Sequence, residues 1–199
     1  MIKESKISLK KLILMEILKF HLALLMKKMK LDWRTSTTGS KMSKIIAVDL
    51  GGTNLRVSLV QNNKILRYVK DKTPKTGKEL IEMMFKNIEF LMDKDVKGIG
   101  VASAGPLENG IIKNPPNLPL KNYNLKAALE KKFHKKVEVC NDAHCVALGE
   151  LYLGVKKKNF IVLTLGTGVG GGIIIDGKLY EGQGYAGEVG HIILDNGLS

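Results

Sequence analysis

The stretch Ile45-Ile46-Ala47-Val48-Asp49-Leu50-Gly51-Gly52-Thr53-Asn54-Leu55-Arg56-Val57-Ser58-Leu59-Val60 decides the fold class of this chain. An apolar run rich in β-branched residues reaches a Gly/Thr turn and resumes as a second apolar run, which is the pattern of a β-hairpin. Phe160-Ile161-Val162-Leu163-Thr164-Leu165-Gly166-Thr167-Gly168-Val169-Gly170-Gly171-Gly172-Ile173-Ile174-Ile175 repeats that pattern. Two hairpins with the same small residues at their turns predict an internally duplicated fold whose tips face one another across a cleft. Such a cleft can hold a polyphosphate between two sets of backbone N–H groups. Between the hairpins, Asn141-Asp142 stands where a helix begins.

Working outward from the first hairpin, strands are expected at about 44–49 and 54–60, with a third at 64–69 after the turn Gln61-Asn62-Asn63. A helix follows over about 76–92, with Leu80, Ile81, Met84, Ile88 and Leu91 on one face. Gly98 to Pro106 reads as a buried strand ending in a turn, and Asn114-Pro115-Pro116-Asn117-Leu118-Pro119 as a rigid loop. A helix near 124–133, the strand Val137–Cys140 and a helix near 142–153 close the first unit, and the hairpin at 159–175 opens the second. Strands interleaved with helices in this way give a mixed sheet covered by helices, an α/β fold. The expected boundaries are a basic extension and linker at 1–41, a first α/β domain at 42–155 and the start of a second at 156–199.

With 199 residues, 44% hydrophobic and 26% charged, the chain has ordinary globular composition and length enough for a core. Its net charge of +13 would raise a nucleic-acid reading, but residues 1–41 carry a net +7 of it. The remaining lysines are dispersed with few aromatics beside them, so no nucleic-acid partner is expected. Cys140 and Cys145 are too few for a disulfide scaffold or a structural zinc site and point to reduced, buried thiols in a cytoplasmic protein. Leu12 to Met26 is apolar, but Glu16, Lys19 and His21 interrupt it, so it neither spans a bilayer nor ends in a signal-peptide cleavage site. Membrane contact through residues 8–30, as a basic helix lying on a surface, is the alternative to a dispensable extension.

Five motifs occur in an order that resembles the ROK family of sugar kinases and repressors, and its glucokinases in particular: Asp49-Leu50-Gly51-Gly52-Thr53-Asn54; Ala104-Gly105-Pro106; Asn141-Asp142-Ala143; Leu165 to Gly172; and Gly184-Tyr185-Ala186-Gly187-Glu188-Val189-Gly190-His191. The resemblance covers Met42 to Ser199. It implies an actin-like, hexokinase-like (ribonuclease H-like) duplicated fold, with the first domain complete and the second only begun. It also implies ATP-dependent phosphorylation of a hexose, most simply glucose, in the cytoplasm, with ATP and Mg²⁺ as cofactors and a homodimer for a longer form.

The chemistry can be reasoned from the residues as well. Phosphoryl transfer is positioning and charge stabilisation, so the backbone must approach phosphate oxygens closely, which glycine permits. Gly51, Gly52, Thr53 and Asn54 are expected to face the transferring phosphate, and Gly166, Thr167, Gly168, Val169 and Gly170 the nucleotide phosphates. Asp49 is suited to hold Mg²⁺ through water. Gly166 to Gly171 also satisfies the dinucleotide fingerprint G-x-G-x-x-G, but that motif must open a helix, and here it leads into a strand.

Taken alone, Asp142 reads first as a helix N-cap, with a general base as the alternative. The resemblance assigns it the base. It likewise implies that Asn141, Glu188 and His191 bond the sugar hydroxyls, with Gly105 and Asn117 as further candidates from the first domain. In many members the histidine at the position of His191 also binds Zn²⁺ with a cysteine cluster further on, which this chain does not contain. The chain is therefore expected to be truncated, poorly stable and silent by itself, with the strands around Ile173-Ile174-Ile175 lacking helices to cover them. A sugar-sensing ROK regulator and a silent fragment of a kinase are the competing readings.

Overall fold

The computed structural model describes residues 43–61, 64–152, 154–155, 157–165, 168–183 and 185–192. The N-terminal extension, the 62–63 turn and Gly166-Thr167 lie outside the described residues. Three sheets, three α-helices and one 3-10 turn make up the described part. The first sheet has five strands in the order β3-β2-β1-β4-β8 and lies wholly before residue 142. Its members are β1 (Lys44–Leu50), β2 (Asn54–Gln61), β3 (Lys64–Lys72), β4 (Val96–Ser103) and β8 (Lys136–Asn141). β1 pairs β2 and β2 pairs β3 antiparallel, while β4 joins β1 and β8 joins β4 in parallel, with the helix α1 (Gly77–Leu91) before β4 and α2 (Leu125–Phe133) before β8.

The continuous apolar runs of β1 and β4 follow from burial on both faces: Ile45, Ile46, Ala47, Val48 and Leu50 are all buried, as are Ile99, Val101 and Ala102. α1 starts at the N-cap Thr76, whose hydroxyl accepts from the Glu79 N–H and donates to the Glu79 carboxylate at 2.7 Å. Its Leu80, Met84, Ile88 and Leu91 are fully buried, each contributing about 1.5–3 kcal/mol relative to exposure. Ile81 is only half-buried. Asn87 turns inward instead, its amide N–H donating to Asp71 on β3 at 2.8 Å.

At the other end of the sheet, Lys44 at the start of β1 pairs with Asp93 at 2.5 Å and Asp95 at 3.8 Å on the turn before β4. The hydrogen bond to Asp93 holds the Lys44 ammonium above the ordinary lysine value of 10.5, against opposing desolvation. A raised folded pKa contributes stability that is complete below the unfolded value and is lost as pH rises through the folded one. Lys44→Met should accordingly melt below the parent at neutral pH, and the gap should close as the pH rises beyond the ordinary lysine value of 10.5; a gap that is constant with pH would show that the pair does not act electrostatically.

The second sheet has the order β11-β10-β9, with β9 (Phe160–Leu165), β10 (Val169–Ile175) and β11 (Lys178–Tyr180) all antiparallel. The glycine-rich turn thus leads into a strand rather than a helix, which removes the dinucleotide-fold reading. α3 (Asp142–Tyr152) packs on this sheet and bridges it to the first. Cys140 and Cys145 are buried in the cluster between them, with Ala102, Ala147, Leu148 and Ile174.

One face of the β9–β10 hairpin is covered by α3, where Ile174 is buried, while the other is left uncovered among the described residues, as expected, with Val169 and Ile175 exposed. Ile161, Leu163 and Leu165 on the opposite face are exposed, as alternation along a strand requires. A small sheet of β5 (Leu107–Glu108), β6 (Ile111–Ile112) and β7 (Tyr123–Asn124) stands where the sequence suggested only loop.

Candidate active site

The site is built at the carboxyl ends of the parallel strands. In the sheet register Asp49 is level with Ala102, and Leu50 with Ser103. Ala102 and Ser103 are in turn level with Cys140 and Asn141. The residues that follow each strand, namely the Gly51–Asn54 turn, Ala104-Gly105 and the start of α3, therefore converge at one edge. There they line a cleft of about 830 Å³ whose far wall is the tip of the second hairpin. Asp49, Gly51, Gly52, Thr53, Asn54, Gly105, Asn117, Asn141, Asp142, Gly168, Val169, Gly170 and Glu188 all line it. Leu165 and Gly168, which flank the turn of the second hairpin, thus lie across the cleft from the first turn.

The first turn is held from several sides. Gly51 N–H donates to the Asn54 carbonyl at 3.1 Å, and Thr73 donates both its N–H, to the Thr53 carbonyl, and its hydroxyl, to the Gly51 carbonyl at 2.6 Å. A Cβ on Gly52 would lie 2.7 Å from both the Cβ and the carbonyl oxygen of Asn117. Gly52 is thus required by the approach of the 115–119 loop, a contact that sequence reading had assigned to phosphate. Arg56, which sequence reading passed over, faces Asp49 across the hairpin and donates from Nη1 to Oδ2 at 2.6 Å. The turn spans Gly51 to Asn54, so counting outward pairs residue 49 with residue 56, whereas the strand limits expected from the sequence would have set residue 49 opposite residue 54. The guanidinium fixes the Asp49 carboxylate at the cleft wall, and a single fixed carboxylate suits Mg²⁺, which keeps several waters and takes its other ligands from phosphate.

Asn141, not Asp142, is the N-cap of α3. Its Oδ1 accepts from the N–H groups of Ala143 at 2.9 Å and His144 at 3.2 Å, and its Nδ2 donates to the Gly105 carbonyl at 3.1 Å. One amide N–H remains as the group Asn141 can offer a sugar hydroxyl. Asp142 is the first helical residue, with Oδ1 accepting from Ala143 N–H at 2.8 Å. Its carboxylate therefore stands at the positive end of α3, inside the cleft.

On the second hairpin the glycines divide by role. Gly168 has open space where a Cβ would project. Gly172 does not: a Cβ there would lie 2.5 Å from Ala147 Cβ, so the inner glycines of β10 admit α3 to the sheet. Glu188 reaches the cleft from the segment before a 3-10 turn, Val189–His191. His191 is not brought into the cleft: its side chain is 84% exposed, with Nε2 3.7 Å from Glu188 Oε2. Among the described residues no group of three or more His, Cys, Asp and Glu converges as a metal centre. Two side chains do not make a zinc site, so no chemistry is derived through zinc.

The sequence profile described as the ROK family matches residues 45–198. The glucokinase of Thermotoga maritima is 38% identical over 162 residues, covering 76% of this chain and 51% of its own length. An N-acetylmannosamine kinase of Haemophilus influenzae is 34% identical, with 76% and 53% covered. Among solved structures, a ROK family glucokinase from Streptomyces griseus in complex with glucose and AMPPNP is similar with a TM-score of 0.69 and 34% identity, covering 76% of this chain and 51% of that one. A ROK family transcriptional regulator homologous to the E. coli MLC protein is similar with a TM-score of 0.67 and 26% identity, with 77% and 42% covered. The chain spans about half the length of the curated relatives it matches.

Proposed function

This chain belongs to the ROK family, and from that premise we propose that it carries the sugar-binding and phosphate-facing half of an ATP-dependent hexose kinase, with glucose as the preferred acceptor and Asp142 as general base. The observation that carries the reading is the Asp142 carboxylate at the start of α3, in a cleft whose opposite walls are two small-residue hairpin turns. Asp142 takes the proton of the sugar hydroxyl as that oxygen forms its bond to the γ-phosphorus and the bond from phosphorus to the ADP oxygen breaks. Asn141 and Glu188 orient the sugar by paired hydrogen bonds, with Gly105 and Asn117 closing the wall behind them. The turn from Gly51 to Asn54 faces the transferring phosphate, with the Gly52 and Thr53 N–H groups as its donors because the Gly51 N–H is held by the Asn54 carbonyl, and the backbone around Gly168 faces the nucleotide phosphates. Mg²⁺ held through water by Asp49 would neutralise phosphate charge.

The test is a screen of glucose, mannose, fructose, allose, galactose and N-acetylmannosamine, read as ATP-dependent transfer and as binding. Glucose is expected to give the highest kcat/KM. A preference for N-acetylmannosamine would move the protein to the activity of its Haemophilus relative. The similarity to a transcriptional regulator supports a second reading, a sugar sensor, in which hexose binds and no transfer occurs at any ATP concentration.

A further inference from the structure

The five-stranded sheet has a second face. Alternation sends Ile46, Val48 and Leu50 of β1 and Leu55, Val57 and Leu59 of β2 into the core with α1 and α2, and sends Ile45, Ala47, Ser58 and Val60 to the other side. There they continue onto β4 in register, as the rows Val60-Ile45-Gly98 and Ser58-Ala47-Gly100. α3 packs on this side where Ala102 and Cys140 lie, but neither its cluster nor the one under α1 and α2 includes Ile45, Ala47 or Val60. All six residues of the two rows are nevertheless buried, Ile45, Ala47 and Ser58 completely. The outer face of β9 shows what a bare sheet looks like in this chain: Ile161, Leu163 and Leu165 are each more than half exposed.

We propose that the apolar stretch from Leu12 to Met26 docks on this face and covers it. Outside the described residues, those after residue 43 come in runs of at most seven, whereas 1–42 leads directly into β1 beside Ile45. Read as a helix, the stretch sets Glu16, Lys19, Lys27 and Lys30 along one stripe and Leu14, Leu18, Leu22 and Leu25 along the opposite one. Such a helix is about 22 Å long, close to the roughly 23 Å of a strand the length of β1. The link from Lys27 to Ser43 reaches up to about 56 Å, ample for turning back along the sheet. Small residues in the Ser58-Ala47-Gly100 row let the segment approach closely. The Ser58 hydroxyl, buried with no hydrogen-bond partner among the described residues, is what a dry, apolar cover leaves behind. A helix given to a membrane surface instead would take its leucines away from the sheet and leave these residues bare.

The test is methyl nuclear Overhauser spectroscopy of the 199-residue chain, with hydrogen exchange on the same sample. Contacts are expected between methyl groups of Leu14, Leu18, Leu22 or Leu25 and those of Ile45 or Val60, within one molecule. Amides of residues 12–26 should exchange on the order of 100-fold more slowly than in a free peptide of that sequence. Leu18→Asp combined with Leu25→Asp should abolish the contacts and the protection and lower the melting temperature by more than about 5 °C, whereas Ala23→Asp, on the polar stripe, should keep both. Absence of any contact from the stretch to Ile45 or Val60 in the parent chain would overturn the proposal. So would contacts made only between molecules, which would make the face an interface between two copies. Protection that arises only when phosphatidylglycerol vesicles are added would overturn it as well, and would assign the stretch to a membrane surface.

Discussion

Asp142→Asn is expected to lower phosphoryl transfer by about 10²–10⁴-fold while leaving hexose affinity within a few-fold, because removing a general base takes away proton transfer in the transition state and little of ground-state binding. The substitution is nearly isosteric. An amide at this position can still accept the Ala143 N–H that Asp142 Oδ1 now holds at 2.8 Å, and the helix keeps its true cap, Asn141. A fall in activity would therefore report chemistry rather than unravelling of α3. The measurement is made on the 199-residue chain joined to the C-terminal part of the Thermotoga maritima relative, since the chain spans half that protein's length. Transfer within about tenfold of the parent would remove Asp142 from the role.

Gly52→Val carries the second large effect. A β-branched side chain there must push against Asn117, whose Cβ and carbonyl oxygen both lie 2.7 Å from the new Cβ. Overpacking of this kind costs about 1–3 kcal/mol, which corresponds to roughly a ten- to hundredfold change when it falls on a reacting geometry. The strain opens the wall formed by the 51–54 turn and the 115–119 loop, so kcat should fall and the KM for ATP should rise together. The buried residues of β1 and β2 are untouched, and the five-stranded sheet should persist by circular dichroism. Unchanged kcat and KM would show that the contact with Asn117 does not position the turn.

Much of this architecture was legible in the chain itself. The alternation and β-branched content of 45–60, the spacing of Leu80, Met84, Ile88 and Leu91, and the strand after the glycine-rich turn each express a local preference, and each appears at nearly the expected residues. Convergence of the motifs was legible too, because strand ends of a parallel sheet bring the loops that follow them to one edge. The short strands β5 to β7 were not. Two-residue strands carry no periodicity, and they form only because Leu107, Ile112 and Tyr123 have the main core to pack against.

What the sequence by itself determined was the kind of element at each place and the residue types gathered at the turns, since these depend on spacing along one stretch of chain. The tertiary structure alone decided which group each of those residues serves. Asn141 rather than Asp142 caps α3 because Gly105 comes within hydrogen-bonding reach of its amide. Gly52 admits Asn117 and Gly172 admits Ala147, because a missing Cβ leaves space for whichever surface packs there. Arg56 holds Asp49 because pairing across the hairpin sets them opposite, seven residues apart along the chain. Contacts between segments distant in sequence depend on how sheets and helices stack, and no local pattern encodes that stacking.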